Sequence, residues 1–228
     1  MKADYQFEGL QWHLDPSEDC IQEALSRIHV WEPSSTPHVV DLVLPGWSCL
    51  DIGAHIGYYT MMLSSLVGRR GRVVALEAND ERFARLVRHC GINELHWAQP
   101  VKWCAGMSPE VDRQLINLLC GPRINFIKVD VDGPDLAVWR MLAPFLKGPN
   151  RPEVLLAEVC GYCLDQHEGK MPYAHWPRVL IDELQAHGYE IRLEHDWSVI
   201  TKDTPIGELA DFNTSGFNIF ALRNDLQI

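Results

Sequence analysis

Four carboxylates stand within or directly after short apolar segments of the sequence. Asp51 lies in the run Ser48–Ile52, and Glu77 closes the next such run. Asp130 and Glu158 stand at the ends of two later apolar runs. Because a parallel sheet opens its ligand crevice at the carboxyl ends of its strands, we expect Glu77, Asp130 and Glu158 to face one cleft. Carboxylates gathered there could bind a cation, orient a hydroxyl group or accept its proton.

A glycine turn follows the first of these runs. Gly53 and Gly57 stand four residues apart, and apolar residues at helical spacing come after them. A turn of this kind exposes backbone N–H groups and the positive end of a helix dipole to a ligand. A dinucleotide fingerprint needs glycines at i, i+2 and i+5, whereas His55 takes the place of the middle glycine here. Asp51 would also repel a diphosphate, and it would suit an ammonium group instead.

The acid ahead of the turn narrows the choice of ligand. An acidic residue before a glycine turn is typical of the S-adenosylmethionine (SAM) sites of class I methyltransferases. Glu77 stands about 20 residues after the turn, where an acid at the end of the second strand holds ribose hydroxyls in nucleotide-binding βαβ units. A plain strand–turn–helix corner with incidental glycines is the alternative interpretation.

Composition limits the classes of protein that fit. The chain has 228 residues, of which 46% are hydrophobic and 22% charged, which suits one α/β domain. We expect a single domain over 1–228, with the segment 1–47 packed on it as a short helical cap. The formal net charge is −11. This acidic balance argues against a nucleic-acid partner and against docking on an anionic membrane.

The cysteines and the first residues indicate a compartment. The seven cysteines are odd in number and scattered, which favours free thiols in a reducing environment. The first residues lack the apolar run of a signal peptide, and no segment is apolar over the length of a membrane span. We therefore expect a cytoplasmic protein. Cys160 and Cys163 with His167 are a weak signal for zinc or a redox pair, and we expect no metal.

The elements that would position these residues can be placed along most of the chain. The pattern predicts helices over 20–30, after Gly57, after Asn79, after Pro134 and over 177–187. It predicts further strands over 98–104, 189–194 and 217–223. The stretch 105–123 is less regular, and the sequence does not place an element there.

Four blocks of this sequence resemble the FkbM family of SAM-dependent methyltransferases. They contain Asp51-x-Gly-Ala-x-x-Gly-Tyr-Tyr-Thr, Val-Val-Ala-Leu-Glu-Ala, Phe-Ile-Lys-Val-Asp-Val-Asp-Gly and Leu-Leu-Ala-Glu, in the order and about the spacing of that family. The earlier Trp31-Glu32-Pro also resembles a family element. The chain departs from the family at His55, where asparagine is usual, and at Asp132 and Asp135, where glutamate is usual.

The resemblance implies a fold and a reaction. The fold is an α/β, Rossmann-like, class I methyltransferase fold: a seven-stranded sheet with helices on both faces and the last strand antiparallel. The reaction is O-methylation of a hydroxyl on a sugar or secondary metabolite, so the acceptor would be a small molecule or a glycan and the cofactor SAM. The clustered acids could instead bind a divalent metal, but they give no firm octahedral set, so we assign no metal.

Roles for individual residues follow as hypotheses. Asp51 and the glycine turn would hold the methionine moiety, and Glu77 the ribose, with Ala78 beside the adenine. Asp130, near the sulfonium, is the first candidate for a base, and His167 and His175 are rival bases. Glu158 would orient the neighbours of Asp130 or the acceptor. The expected catalytic residues are Asp130, Glu158 and His175. The expected cofactor-binding residues are Glu32, Asp51, Gly53, Ala54, His55, Gly57, Tyr58, Glu77, Ala78 and Asp130.

Two other classes of protein fit parts of this pattern. A non-catalytic protein with a SAM-binding fold could keep the fold and bind a metabolite or a protein partner, and the substitutions at His55 and Asp132 leave that option open. A nicotinamide-dependent oxidoreductase is disfavoured by the glycine spacing. The sequence names neither the acceptor nor the oligomeric state.

Overall fold

A mixed β-sheet lies at the centre of the computed structural model, which describes residues 9–131, 135–159, 176–205 and 217–225. The strand order is β3-β2-β1-β4-β5-β7-β6. The first five strands are mutually parallel, and β7 runs antiparallel between β5 and β6. This is the seven-stranded sheet expected from the sequence. The strands are β1 Ser48–Ile52, β2 Arg72–Glu77, β3 Ala98–Lys102, β4 Phe126–Val129, β5 Val154–Val159, β6 Tyr189–Leu193 and β7 Phe217–Arg223.

Helices cover both faces of the sheet. One apolar cluster packs α5, α6 and α7 on one face, and a second packs α1, α2 and α3 on the other, where α4 also lies. The helices are α1 Cys20–Ile28, α2 Thr36–Leu42, α3 Tyr58–Val67, α4 Asp80–Ile92, α5 Pro109–Cys120, α6 Asp135–Leu142 and α7 Trp176–Ala186. None of the helices in the described ranges is both long and apolar enough to cross a bilayer.

Successive residues of β1 show why the strands read as apolar runs. Leu50 and Ile52 belong to the cluster under α5 and α6, whereas Cys49 belongs to the cluster under α3. Because both faces are covered, every second position is as buried as its neighbours, and no polar alternation remains. Asp51 shares the face of Cys49 and therefore points toward α3.

The N-terminal segment packs against the sheet through α1 and α2. Asp19 caps α1 by accepting a hydrogen bond from the backbone of Gln22 at 2.8 Å. The helix ends at Ile28, two residues before the predicted end, because His29 takes a left-handed conformation with φ 60°. Leu25 of α1 and Val39 of α2 join the apolar cluster beneath α3.

Helix α5 occupies the stretch that the sequence did not place. Its buried residues are Asp112, Ile116 and Cys120, so a carboxylate takes a position where an apolar residue would mark a helix face. Asp112 accepts hydrogen bonds from the Trp103 indole at 2.7 Å and from the Gly106 backbone at 2.8 Å. These bonds compensate the burial of the Asp112 carboxylate. Because this buried position holds an acid, the sequence of α5 lacks the regular apolar spacing that would predict a helix.

Candidate functional site

A cavity of about 530 Å³ opens at the carboxyl edge of the sheet, between the strand ends and the N-terminal segment. Glu77, Asp130 and Glu158 all line it, as expected from their positions at three strand ends. Its volume is that of a typical small-molecule site. The lining residues are Asp19, Cys20, Ile21, Trp31, Glu32, Ile52, Gly53, His55, Leu76, Glu77, Ala78, Arg82, Trp103, Cys104, Ala105, Asp130, Val131 and Glu158.

The glycine turn forms the floor of the cavity. Gly53 has φ +82°, and a Cβ atom built on it would lie 1.6 Å from the carbonyl oxygen of Asp130. The Gly53 N–H donates to Leu76 O at 2.9 Å, and the Asp130 N–H donates to Ile52 O at 3.0 Å. Three strand ends therefore meet at this point, and only glycine fits between them.

Glu77 is held in one orientation by the backbone around it. Its Oε2 accepts the His55 N–H at 2.8 Å, and its Oε1 accepts the Asn79 N–H at 2.7 Å. His55 presents this N–H from a left-handed conformation with φ 52°, which histidine and asparagine enter more readily than most residues. Each carboxylate oxygen keeps a lone pair for a ligand, so the group suits a vicinal diol such as that of ribose.

The loop after β3 forms the wall beside Glu77 and Ala78. Trp103, Cys104 and Ala105 line the cavity there, and the buried carboxylate of Asp112 fixes the loop through the Trp103 indole. Asp112 has no role predicted from the sequence, because the acid stands in an irregular stretch far along the chain from Glu77. The side chains of this wall are an indole, a thiol and a methyl group, which suit an aromatic base.

Lys128 is buried behind the strand-end carboxylates. Its Nζ lies 2.9 Å from Asp130 Oδ2 and 3.9 Å from Asp51 Oδ1, and 5.1 Å from the centre of the Tyr59 ring. Burial alone would raise the pKa of Asp130, but the Lys128 ammonium holds that pKa below its ordinary value. The carboxylates in turn outweigh burial at Lys128 and raise its pKa. Asp130 therefore faces the cavity as an anion at neutral pH.

Asp51 lies behind the cavity wall. Its side chain is fully buried, its Oδ2 accepts the Thr60 hydroxyl at 2.6 Å, and it is absent from the lining among the described residues. Burial raises its pKa, against the effects of Lys128 and Thr60. Lys128 links Asp51 to Asp130, which lines the cavity. The structure also places the predicted residues Ala54, Gly57 and Tyr58 beneath the lining.

Glu32 joins the N-terminal segment to the far side of the sheet. It stands at a left-handed φ of 46° and lines the cavity. Its Oε2 accepts hydrogen bonds from the Tyr59 hydroxyl and from Asn218 Nδ2, the latter at 2.9 Å, and its Oε1 accepts the Trp31 indole at 3.1 Å. Burial raises the pKa of Glu32 to about 7, with Lys128 opposing and Asp130 adding to the shift.

This raised pKa predicts a pH-dependent stability. The carboxyl of Glu32 titrates near its ordinary value of 4.5 in the unfolded chain and near 7 in the folded chain. Its contribution to stability is therefore complete below about pH 4.5 and is lost as the pH rises through 7. Glu32→Gln removes this titration. As the pH rises from about 4.5 to about 7, the free energy of unfolding of the variant should therefore increase relative to that of wild type, by on the order of 2 kcal/mol. Urea unfolding of both proteins across that range measures the difference, and parallel pH profiles would contradict it.

The remaining predicted residues divide into two groups. Glu158 lines the cavity and shares a side-chain hydrogen bond with Asp130, so two carboxyl groups meet at the ends of β4 and β5. His175, His167, Cys160 and Cys163 lie outside the described residues, as do Asp132 and the side chain of Asp135.

One family model matches part of the sequence. The model of the protein-L-isoaspartate (D-aspartate) O-methyltransferase family matches residues 6–96, less than half of the chain. No curated protein sequence matches the chain.

Solved structures extend this likeness over most of the chain. The O-methyltransferase from Bacillus cereus in complex with S-adenosylhomocysteine (SAH) is 18% identical, with a TM-score of 0.56 over 88% of this chain and 86% of that one. A SAM-dependent methyltransferase from Aquifex aeolicus is 16% identical, with a TM-score of 0.51 over 92% and 99%. Aeropyrum pernix fibrillarin, solved with natively bound SAM, is 19% identical, with a TM-score of 0.52 over 79% and 68%. The chain therefore has the Rossmann-like fold of the class I SAM-dependent methyltransferases.

Proposed function

We propose that this protein is a SAM-dependent methyltransferase of the FkbM type that methylates a hydroxyl group on an uncharged small molecule, such as a sugar or a secondary metabolite. The observation that carries the proposal is the acid-lined cavity above the Gly53 turn, at the strand ends where this fold binds its ligand. The motif residues favour the FkbM family over other families of the fold. A cytoplasmic location is part of the same proposal.

The charge of the cavity supports SAM as the cofactor. SAM carries a sulfonium and an ammonium group against one carboxylate, so it is a net cation. The lining holds five carboxyl side chains and one guanidinium, that of Arg82; the acids are Asp19, Glu32, Glu77, Asp130 and Glu158. A diphosphate would meet like charges from most of these groups, which is the physical reason to disfavour a nicotinamide dinucleotide.

The same charge supports an uncharged acceptor. A carboxylate or a phosphodiester entering beside Asp130 and Glu158 would approach two acidic groups across a short distance. The net charge of −11 repels a polyanion at longer range as well. We therefore favour a neutral hydroxyl over the isoaspartyl carboxylate named in the matching family model and over RNA.

The geometry suggests how the residues would act. When bound, SAM supplies an electrophilic methyl group on its sulfonium. Glu77 would accept hydrogen bonds from the ribose diol. Glu32 and Asp130 would bind the methionine moiety, which carries the sulfonium and the ammonium group. Asp130 or Glu158 would also orient the acceptor hydroxyl in line with the methyl group, and this alignment supplies much of the rate.

Proton transfer places a modest demand on the site. The acceptor oxygen becomes strongly acidic as it gains the methyl group, so a carboxylate of low pKa can take its proton late in the reaction. Asp130 meets this requirement because Lys128 keeps it ionised. Asp130→Asn should therefore lower kcat by about two orders of magnitude, and full turnover in that variant would exclude Asp130 as the base.

The function is tested by binding first and turnover second. Calorimetric titration with SAH should give micromolar affinity, and SAM with a panel of hydroxylated sugars and metabolites should yield SAH in the presence of one of them. Absence of SAH binding to a well-folded protein would refute the methyltransferase function. Tight SAH binding without turnover across the panel would favour the non-catalytic alternative.

A further inference from the structure

One buried cation stands among carboxylates from three separate segments. Lys128 of β4 is only 4% exposed, and Asp51 is its register partner on the neighbouring strand β1. Its Nζ contacts Asp130 at 2.9 Å and Asp51 at 3.9 Å, and the charge of Glu32 acts on it from the N-terminal segment. Lys128 is absent from the described lining of the cavity, so it acts on a ligand through the positions of these acids and through the net charge of the cluster.

The second oxygen of Asp51 makes Lys128 necessary to the cluster. Asp51 Oδ1 is fully buried, and no described residue donates a hydrogen bond to it, so Lys128 is the cation that compensates its charge. A buried carboxylate without such a partner has a higher pKa and takes up a proton more readily as the pH falls. Removal of Lys128 would therefore change the ionisation of the acids as well as their positions.

We propose that Lys128 is a positioning residue whose ammonium holds the Asp130 carboxylate at the cavity, and so sets the preference of the site for the sulfonium of SAM over the neutral thioether of SAH. This inference rests on the proposed function, because it concerns the same cofactor site. It adds a residue outside the cavity that controls how strongly the site distinguishes substrate from product.

The charges give the direction of the effect at each end of the pH range. In Lys128→Met, all the acids are ionised at high pH and the repulsive ammonium is gone, so the preference for the sulfonium should increase. At low pH, Glu32 already carries its proton in wild type, and Asp130 should now take up a proton that Lys128 formerly kept off, so the preference should fall below that of wild type. The titratable and charged groups facing Asp130 and Lys128 are Glu32, Asp51, His55, Tyr59, Glu77 and Glu158, with Glu194 acting on Glu32.

The test measures the dissociation constants of SAM and SAH by calorimetry at about pH 6 and about pH 8.5. In Lys128→Met, the ratio Kd(SAH)/Kd(SAM) should rise by about threefold or more over wild type at the higher pH, and should fall below wild type at the lower pH. Lys128→Arg keeps the charge and should keep both wild-type ratios. Lys147→Met removes an exposed lysine from the loop before β5 and serves as the matched control.

A second variant protects the test against misfolding. Lys128→Met with Asp51→Asn removes the buried acid that would lack a partner, and it leaves Asp130 without its counter-ion. Its ratio should stay near wild type at high pH, because one charge of each sign is lost, and should still fall at low pH. Equal weakening of SAM and SAH at both pH values, in either variant, would overturn the role of Lys128. Wild-type protein that binds neither ligand would instead overturn the proposed function, and this inference with it.

Discussion

Gly53→Ala should abolish detectable SAH binding and destabilise the protein by more than about 3 kcal/mol. The new Cβ would lie 1.6 Å from the backbone oxygen of Asp130, and a left-handed φ of +82° adds strain for any residue with a side chain. The backbone cannot move away without separating β1 from the end of β4. Thermal unfolding and SAH calorimetry on the same samples measure both effects.

Gly46→Ala is the matched control for this substitution. Gly46 has nearly the same conformation, with φ +85°, but nothing lies within 4 Å of a Cβ built there. The free energy of unfolding should fall by only about 1 kcal/mol, the cost of a left-handed conformation for alanine, and the variant should bind SAH as wild type does. If the two variants proved equally stable, the contact with Asp130 would not be the reason for glycine at position 53.

Glu77→Ala should weaken SAH binding by about 100-fold, which corresponds to about 2.7 kcal/mol. The substitution removes the proposed acceptor of the ribose hydroxyls, and it leaves the backbone N–H groups of His55 and Asn79 without their partner. Calorimetry with SAH gives the affinity, and an unfolding curve separates lost binding from lost structure.

Two comparisons sharpen the test of Glu77. Glu81→Ala removes an exposed acid from the first turn of α4 and should leave SAH affinity unchanged. Wild type should bind adenosine more tightly than dideoxyadenosine, and Glu77→Ala should lose this discrimination. If the variant still distinguished the two nucleosides, Glu77 would not hold the ribose.

The sheet could be predicted from the sequence because its strands are covered on both faces. The predicted bounds of β1 and β7 agree with the structure at both ends, and β2 ends at Glu77 as predicted, since each is an apolar run closed by glycine, a carboxylate or arginine. The acids at the ends of β2, β4 and β5 could be assigned to one cleft by the geometry of a parallel sheet.

The parts that were missed depend on contacts between distant segments. The lysine at position 128 reads as one polar residue in an apolar strand, and its partners Asp51 and Tyr59 come from earlier elements. The same holds for Asp112, whose burial depends on the Trp103 loop. The burial of Asp51 behind the cavity could not be predicted either, because the sequence gives strand alternation without saying which face meets α3.

The hydrogen bonds that hold Glu32 at the cavity affect the order in which the site is assembled during synthesis. Glu32 and Ser35 bond to Asn218, at separations of 186 and 183 residues, and Ser35 also bonds to Glu194 at 2.5 Å across 159 residues. These partners leave the ribosome long after the N-terminal segment does. A nascent chain that stops before β7 would contain the glycine turn and the acids of β1 to β5, but it could not form the hydrogen bonds from Asn218 to Glu32 and Ser35. Ligand binding should therefore be among the last properties that the growing chain acquires.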